Sequence, residues 1–156
     1  MSTVMSVDEA CAAAKAASEW YADTDLEARA RLLEAIADAV DAARDALVPI
    51  AVEESRLGVD RLAGEVGRTT GQLRLMAQVV RDGAFLGVVL DKALPDTTPP
   101  RPDLRRMNVP LGPVAVFAAS NFPFAFSTLG GDTAAALAAG CTVVAKPNPG
   151  HPRLSD

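Results

Sequence analysis

The chain has 156 residues, 49% of them apolar and 22% charged, with a formal net charge of -5. That length bounds it to one ordinary domain with a real core, and the balance excludes a disordered chain. A nucleic-acid partner is excluded as well, because phosphate binding needs clustered Lys and Arg and no basic block occurs.

In chain order, Ser6 and Glu9 in "SVDE" have the spacing of a capping box, followed by Ala10, Cys11, Ala14, Ala17 and Tyr21 at helical spacing. Thr24 and Glu27 repeat the device ahead of Leu26, Ala30, Leu33, Ala37, Val40 and Leu47, the stripe of a one-sided helix. Pro49 predicts a kink or restart near Val48, and Gly58 a stop. A further helix is predicted from about Asp60 to Asp82, with Leu62, Val66, Leu73, Met76 and Val80 as its stripe.

From Leu90 to Pro110 five prolines forbid regular helix and favour extended or turn backbone. We read residues 1–90 as a helical part, 91–110 as a crossing segment and 111–156 as the start of a dinucleotide-binding unit. Beyond Arg106 only Asp132, Lys146, Arg153 and Asp156 are charged, so the last third reads as interior. Its charge-free stretch contains Pro110, Pro113 and Pro123 and many polar residues, which argues against a membrane span.

Within that last third, "GPVAVFAA" and "TVVAK" are short apolar runs expected to form strands covered on both faces. Phe124 to Ala139 is helical by composition, with "GGD" at Gly130 to Asp132 inside it, and ends at Gly140. The resulting fold class is α/β: N-terminal helices followed by a Rossmann-like βαβ unit with a parallel sheet.

Ligands in such sheets collect outside the carboxyl ends of the strands, here "ASNFP" and "KPNPGHP". Asn121 reads either as an N-cap, with Pro123 in the first turn, or as an amide donor to an oxyanion. Lys146 is either an exposed strand end or a cation near an adenosine ribose, which favours NADP over NAD. His151, bracketed by prolines, reads as a loop histidine, Asn148 and Pro149 as turn residues, and no metal site is expected. Cys141 reads as core, and Cys11 has no activating neighbour. With two cysteines and no secretory signal pattern, a reducing cytoplasm is the expected compartment.

The stretch "PLGPVAVFAASNFPFAFSTLGGDTAAALAAGCTVVAKPNPGHP" resembles the aldehyde dehydrogenase superfamily: a P-L-G lead-in, a strand, N-F-P, a helix ending A-L-A-A-G, and a strand ending K-P. "GRTTGQLRL" upstream is also similar to that family's N-terminal part, and within the family the pattern is most like the α-ketoglutaric semialdehyde dehydrogenases. The resemblance implies an incomplete aldehyde dehydrogenase fold and NAD(P)-dependent oxidation of an aldehyde, with homo-oligomer formation possible. Asn121 then matches the oxyanion-holding asparagine, Phe117, Ala118, Ala119 and Ser120 border the nicotinamide half of the cofactor, and Lys146 contacts the ribose. Pro149 stands where NAD-preferring relatives often carry a glutamate, which leaves room for a 2'-phosphate. The family's catalytic cysteine and general-base glutamate follow these motifs, so this chain alone is expected to be inactive. The alternative is a non-catalytic helical and βαβ module that binds a partner protein through surface a complete enzyme would cover, with an unpaired sheet edge that invites self-association.

Overall fold

The computed structural model describes residues 5–156. Its first half is four helices: α1 (Val7–Ala22), α2 (Leu26–Ala42), α3 (Arg44–Ser55) and α4 (Val59–Asp82). The capping box opens α1 as its spacing predicts, with Glu9 N–H donating to Ser6 Oγ at 3.3 Å and Ser6 N–H donating to Glu9 Oε2 at 2.9 Å. Of the α1 stripe only Ala14 and Tyr21 are buried, while Cys11 and Ala17 face outward.

Three helix boundaries differ from expectation. The cap of α2 is Asp25, whose carboxylate accepts from Ala28 N–H at 2.7 Å, whereas Thr24 turns its hydroxyl back to Trp20 O. An ionised carboxylate is the stronger acceptor at the positive end of a helix. The restart comes at Ala43, and Pro49 sits inside α3. Asp45, whose carbonyl loses its partner to the proline, is exposed, so water can replace that bond. Arg56, at φ 60°, ends α3, and Gly58 becomes the N-cap of α4.

Helix α4 is the hub of the core. Leu73, Ala77 and Val80 pack with Ala30, Leu33 and Ala37 of α2, and the alanines let the two axes approach closely. Leu62 and Val66 meet Val40, Val48, Ala51 and Phe124 in a second cluster. Each fully buried leucine or valine here contributes on the order of 1.5–3 kcal/mol.

Surface ion pairs tie the same two helices together. Arg81 reaches Glu27 and Glu34, and Arg74 reaches Asp38 and Asp41. Hydrogen bonds from Arg81 hold the Glu27 and Glu34 carboxyls below their ordinary range, and Arg74 does the same for Asp41. Carboxyls lowered on folding add stability above about pH 4, the unfolded value, and lose it as pH falls through their folded values. Urea midpoints of the chain and of Arg81→Gln should therefore differ most near neutrality and converge in acid.

The second half opens with a 3₁₀ turn (Ala84–Leu86), then β1 (Val89–Asp91) and β2 (Leu104–Arg106), paired antiparallel with Leu90 opposite Arg105. The proline-rich segment is thus extended, as expected, but folds back as a hairpin rather than simply crossing. Next come β3 (Val114–Phe117), α5 (Gly131–Ala138), β4 (Val143–Lys146) and the short α6 (Pro152–Ser155). Strands β3 and β4 pair in parallel, giving the expected helices followed by a βαβ unit. Among the described residues no helix is long and apolar enough to cross a membrane.

Two features of this unit correct the sequence reading. Phe124 to Ala139 is not one helix: turns occupy 123–130, and "GGD" starts α5 instead of lying within it, with Gly130 as N-cap. A Cβ at Gly130 would collide with the Ala125 carbonyl oxygen, so the chain doubles back there too tightly for a side chain. Nor is β3 covered on both faces, or the last third uniformly interior. Val116 is buried, but Ala115 is exposed and Phe117 is 75% exposed, because β3 touches only β4 and α5 among the described elements; Leu111, ahead of β3, is 92% exposed.

Arg29, 3% exposed, fastens the βαβ unit to the helices. Its guanidinium donates to Ala138 O at 3.3 Å, Ala22 O at 3.2 Å and Thr24 O at 3.1 Å, at the carboxyl ends of α5 and α1. Those carbonyls have no intrahelical partner, and the cation complements both helix dipoles. Gly140, at φ 87°, makes room: a Cβ would stand 2.9 Å from Arg29 Cζ and 2.8 Å from Pro110 Cγ. Gly140→Ala should cost about 1–2 kcal/mol for the left-handed backbone alone, and more for the collision, read as a lower urea midpoint.

Candidate functional site

The carboxyl ends of β3 and β4 lie side by side, with Phe117 opposite Lys146 and Ala118 N–H donating to Lys146 O at 3.1 Å. The loops beyond them are clamped together. Asn148 Nδ2 donates to Ala118 O at 3.0 Å, and His151 Nε2 lies 2.9 Å from Ala119 O. A carbonyl only accepts, so that ring nitrogen carries a proton. His151 is completely buried, with Nδ1 3.3 Å from Ser155 Oγ. It is a loop histidine, as its prolines suggest, and it also anchors the rim. Asn148 keeps the turn role, accepting from Gly150 N–H at 2.9 Å, and adds the clamp.

Of the residues expected to face a cofactor, Phe117, Ser120, Lys146 and Pro149 are exposed on this rim. Ala118 is buried and Ala119 half-buried, and the Ala119 N–H is spent on Phe126 O at 2.8 Å. Those two alanines shape the rim through their backbone. Lys146 forms no ion pair among the described residues.

Asn121 is exposed at the head of the next turn, and its main-chain carbonyl accepts from the Arg61 guanidinium at 2.7 Å. No helix starts there, which removes the N-cap reading. The orphan donors of the turn are met instead by Glu65 of α4, whose Oε1 accepts from Phe124 N–H at 2.9 Å and Ala125 N–H at 3.0 Å. The Asn121 amide makes no hydrogen bond among the described residues and remains available to an outside oxygen. Glu65 is 5% exposed, and its second oxygen has no partner among the described residues. Its signal was in the sequence: a carboxylate standing in the apolar stripe of α4 between Leu62 and Val66.

Neither cysteine shares this rim. Cys141 is 3% exposed and precedes β4, at the opposite end of the strand from Lys146, and Cys11 is exposed on α1.

The sequence pattern of the Aldehyde dehydrogenase family matches residues 1–155. The chain belongs to that family. It is similar to alpha-ketoglutaric semialdehyde dehydrogenase 2 of Azospirillum brasilense, 57% identical over 146 residues that cover 93% of this chain and 28% of that relative. The alpha-ketoglutaric semialdehyde dehydrogenase of Acinetobacter baylyi is 51% identical over 150 residues, 96% of this chain and 28% of that one. Among solved structures, a NAD-dependent benzaldehyde dehydrogenase from Corynebacterium glutamicum superimposes with a TM-score of 0.79 at 25% identity, covering 96% of this chain and 30% of that chain. This aldehyde dehydrogenase chain therefore spans little more than a quarter of the length of its curated relatives, at 28%. Within that span it carries an exposed amide, an exposed ammonium and an exposed aromatic face on one end of a parallel strand pair.

Proposed function

We propose that this chain forms one wall of the active site of an NAD(P)-dependent aldehyde dehydrogenase that oxidises α-ketoglutaric semialdehyde to the corresponding acid. The observation that carries the reading is the unspent Asn121 amide, held on the rim by Arg61 and Glu65. In this role Asn121 Nδ2 donates to the oxyanion that develops when a thiolate attacks the aldehyde carbon. The substrate comes from the two curated relatives, both of them α-ketoglutaric semialdehyde dehydrogenases.

The rim suits a nicotinamide dinucleotide, preferably NADP. Lys146 offers an unpaired ammonium at a strand end, and Pro149 places no carboxylate against a 2'-phosphate. When bound, the dinucleotide takes the hydride; Phe117 and Ser120 border it, and Ala118 and Ala119 set the rim's shape. Cys11 and Cys141 both lie away from Asn121, so the chain on its own turns over no aldehyde.

The test is a chimera in which this chain replaces the matching segment of the Azospirillum brasilense relative. It should reduce NADP with α-ketoglutaric semialdehyde, and Lys146→Ala should raise the KM for NADP by about 10- to 100-fold while sparing NAD. A folded chimera that oxidises no aldehyde overturns the reading. The exposed Leu90, Leu94 and Leu104 of the hairpin favour the association reading instead. A defined oligomer by light scattering with no nucleotide affinity would support it.

A further inference from the structure

Two arginines of α4 stand beside Asn121 without carboxylate partners. The Arg61 guanidinium carbon lies 5.0 Å from the Phe122 ring centre, and that of Arg68 lies 5.8 Å from Phe122 and 5.1 Å from Phe126. The two rings meet edge to face at 5.3 Å. Farther along the same helix Arg74 and Arg81 each engage two carboxylates, but neither Arg61 nor Arg68 forms an ion pair among the described residues.

Aromatic faces fix the planes of the guanidinium groups, which lowers the ordering cost of binding an anion. Arg61 already gives one N–H to the Asn121 carbonyl, and its other N–H groups and those of Arg68 make no hydrogen bond among the described residues. A cavity of about 200 Å³ opens between them, lined by Arg61, Gly64, Glu65, Arg68 and Phe122. Gly64 borders open space, since a Cβ there would meet nothing within 4 Å. Glu65 is the one acidic group in the lining; it is buried with one oxygen spent on backbone donors, so two cations face one anion.

We propose that Arg61 and Arg68 form a carboxylate subsite that holds the acid end of an ω-oxo acid while its aldehyde end reaches the Asn121 amide. This rests on the function proposed above and assigns its substrate selectivity to two residues. A bidentate arginine–carboxylate contact discriminates against an uncharged aldehyde, which gains nothing from the guanidinium groups.

The direct test is an NMR titration of the full 156-residue chain, following arginine Nε–H signals at constant ionic strength. Glutarate should shift the Arg61 and Arg68 signals saturably, dimethyl glutarate should not, and Arg68→Met should abolish the effect. No saturable shift, or an equal response to sulfate, overturns the subsite. In the chimera, Arg68→Met should lower kcat/KM for α-ketoglutaric semialdehyde by about 10- to 100-fold, pentanal should suffer far less, and Arg68→Lys should recover part of the loss. Equal losses for both aldehydes would also overturn it. If the chimera oxidises neither aldehyde, the proposed function fails, and the glutarate titration still decides the subsite.

Discussion

Asn121→Ala in the chimera should lower kcat with α-ketoglutaric semialdehyde by about 100- to 1000-fold, the range found when one oxyanion donor is removed. KM should change little, because a donor aimed at an oxyanion strengthens only as charge develops in the transition state. Stability should stay within about 0.5 kcal/mol, as for surface substitutions away from special features. The side chain is exposed and bonded to nothing among the described residues, and the turn is held through the main chain by Arg61 and Glu65. Asn121→Asp separates donation from mere polarity at this position. Its carboxylate cannot donate and repels an oxyanion. A chemical role therefore requires Asn121→Asp to be at least as slow as Asn121→Ala, whereas a polar surface residue without a donor role would let it keep normal kcat. Unchanged turnover in both variants would remove Asn121 from the chemistry.

The parts of this fold legible in the sequence are those set by neighbours along the chain. The Ser6–Glu9 box, the α4 stripe and the alternation of apolar run, alanine-rich segment and apolar run each depend on contacts a few residues apart. Phe124 to Ala139 failed for the opposite reason. Its composition favours helix, but a carboxylate 59 residues away and the backbone crowding at Gly130 turn its first half into a tight loop. Distance along the chain also hid the burial of His151, whose Nε2 meets Ala119 O, 32 residues earlier. The rim was legible as two loops at strand ends, one of them carrying His151, while Glu65 and Arg61, which brace it, come from the remote helix α4. Only Glu65 left a mark, as a charge on an apolar face.

Glu65→Ala should be the costliest single change at the site, lowering stability by about 3–5 kcal/mol. It leaves Phe124 and Ala125, 7% and 5% exposed, without an acceptor for their N–H groups, and opens a void beneath them. Glu65→Gln should cost less, about 1–3 kcal/mol, because its Oε1 still accepts both donors while its amide N–H groups find no acceptor where the second oxygen stood. Equilibrium urea unfolding of the chain reads both. In the chimera, assayed below its unfolding temperature, Glu65→Ala should also depress kcat, since the turn that aims Asn121 loses its brace. Combined with Asn121→Ala, the two losses should not multiply: once the donor is gone, misaiming it costs nothing further. That outcome would make Glu65 a positioning residue and distinguish it from a general weakening of the fold, for which the two losses would multiply in full.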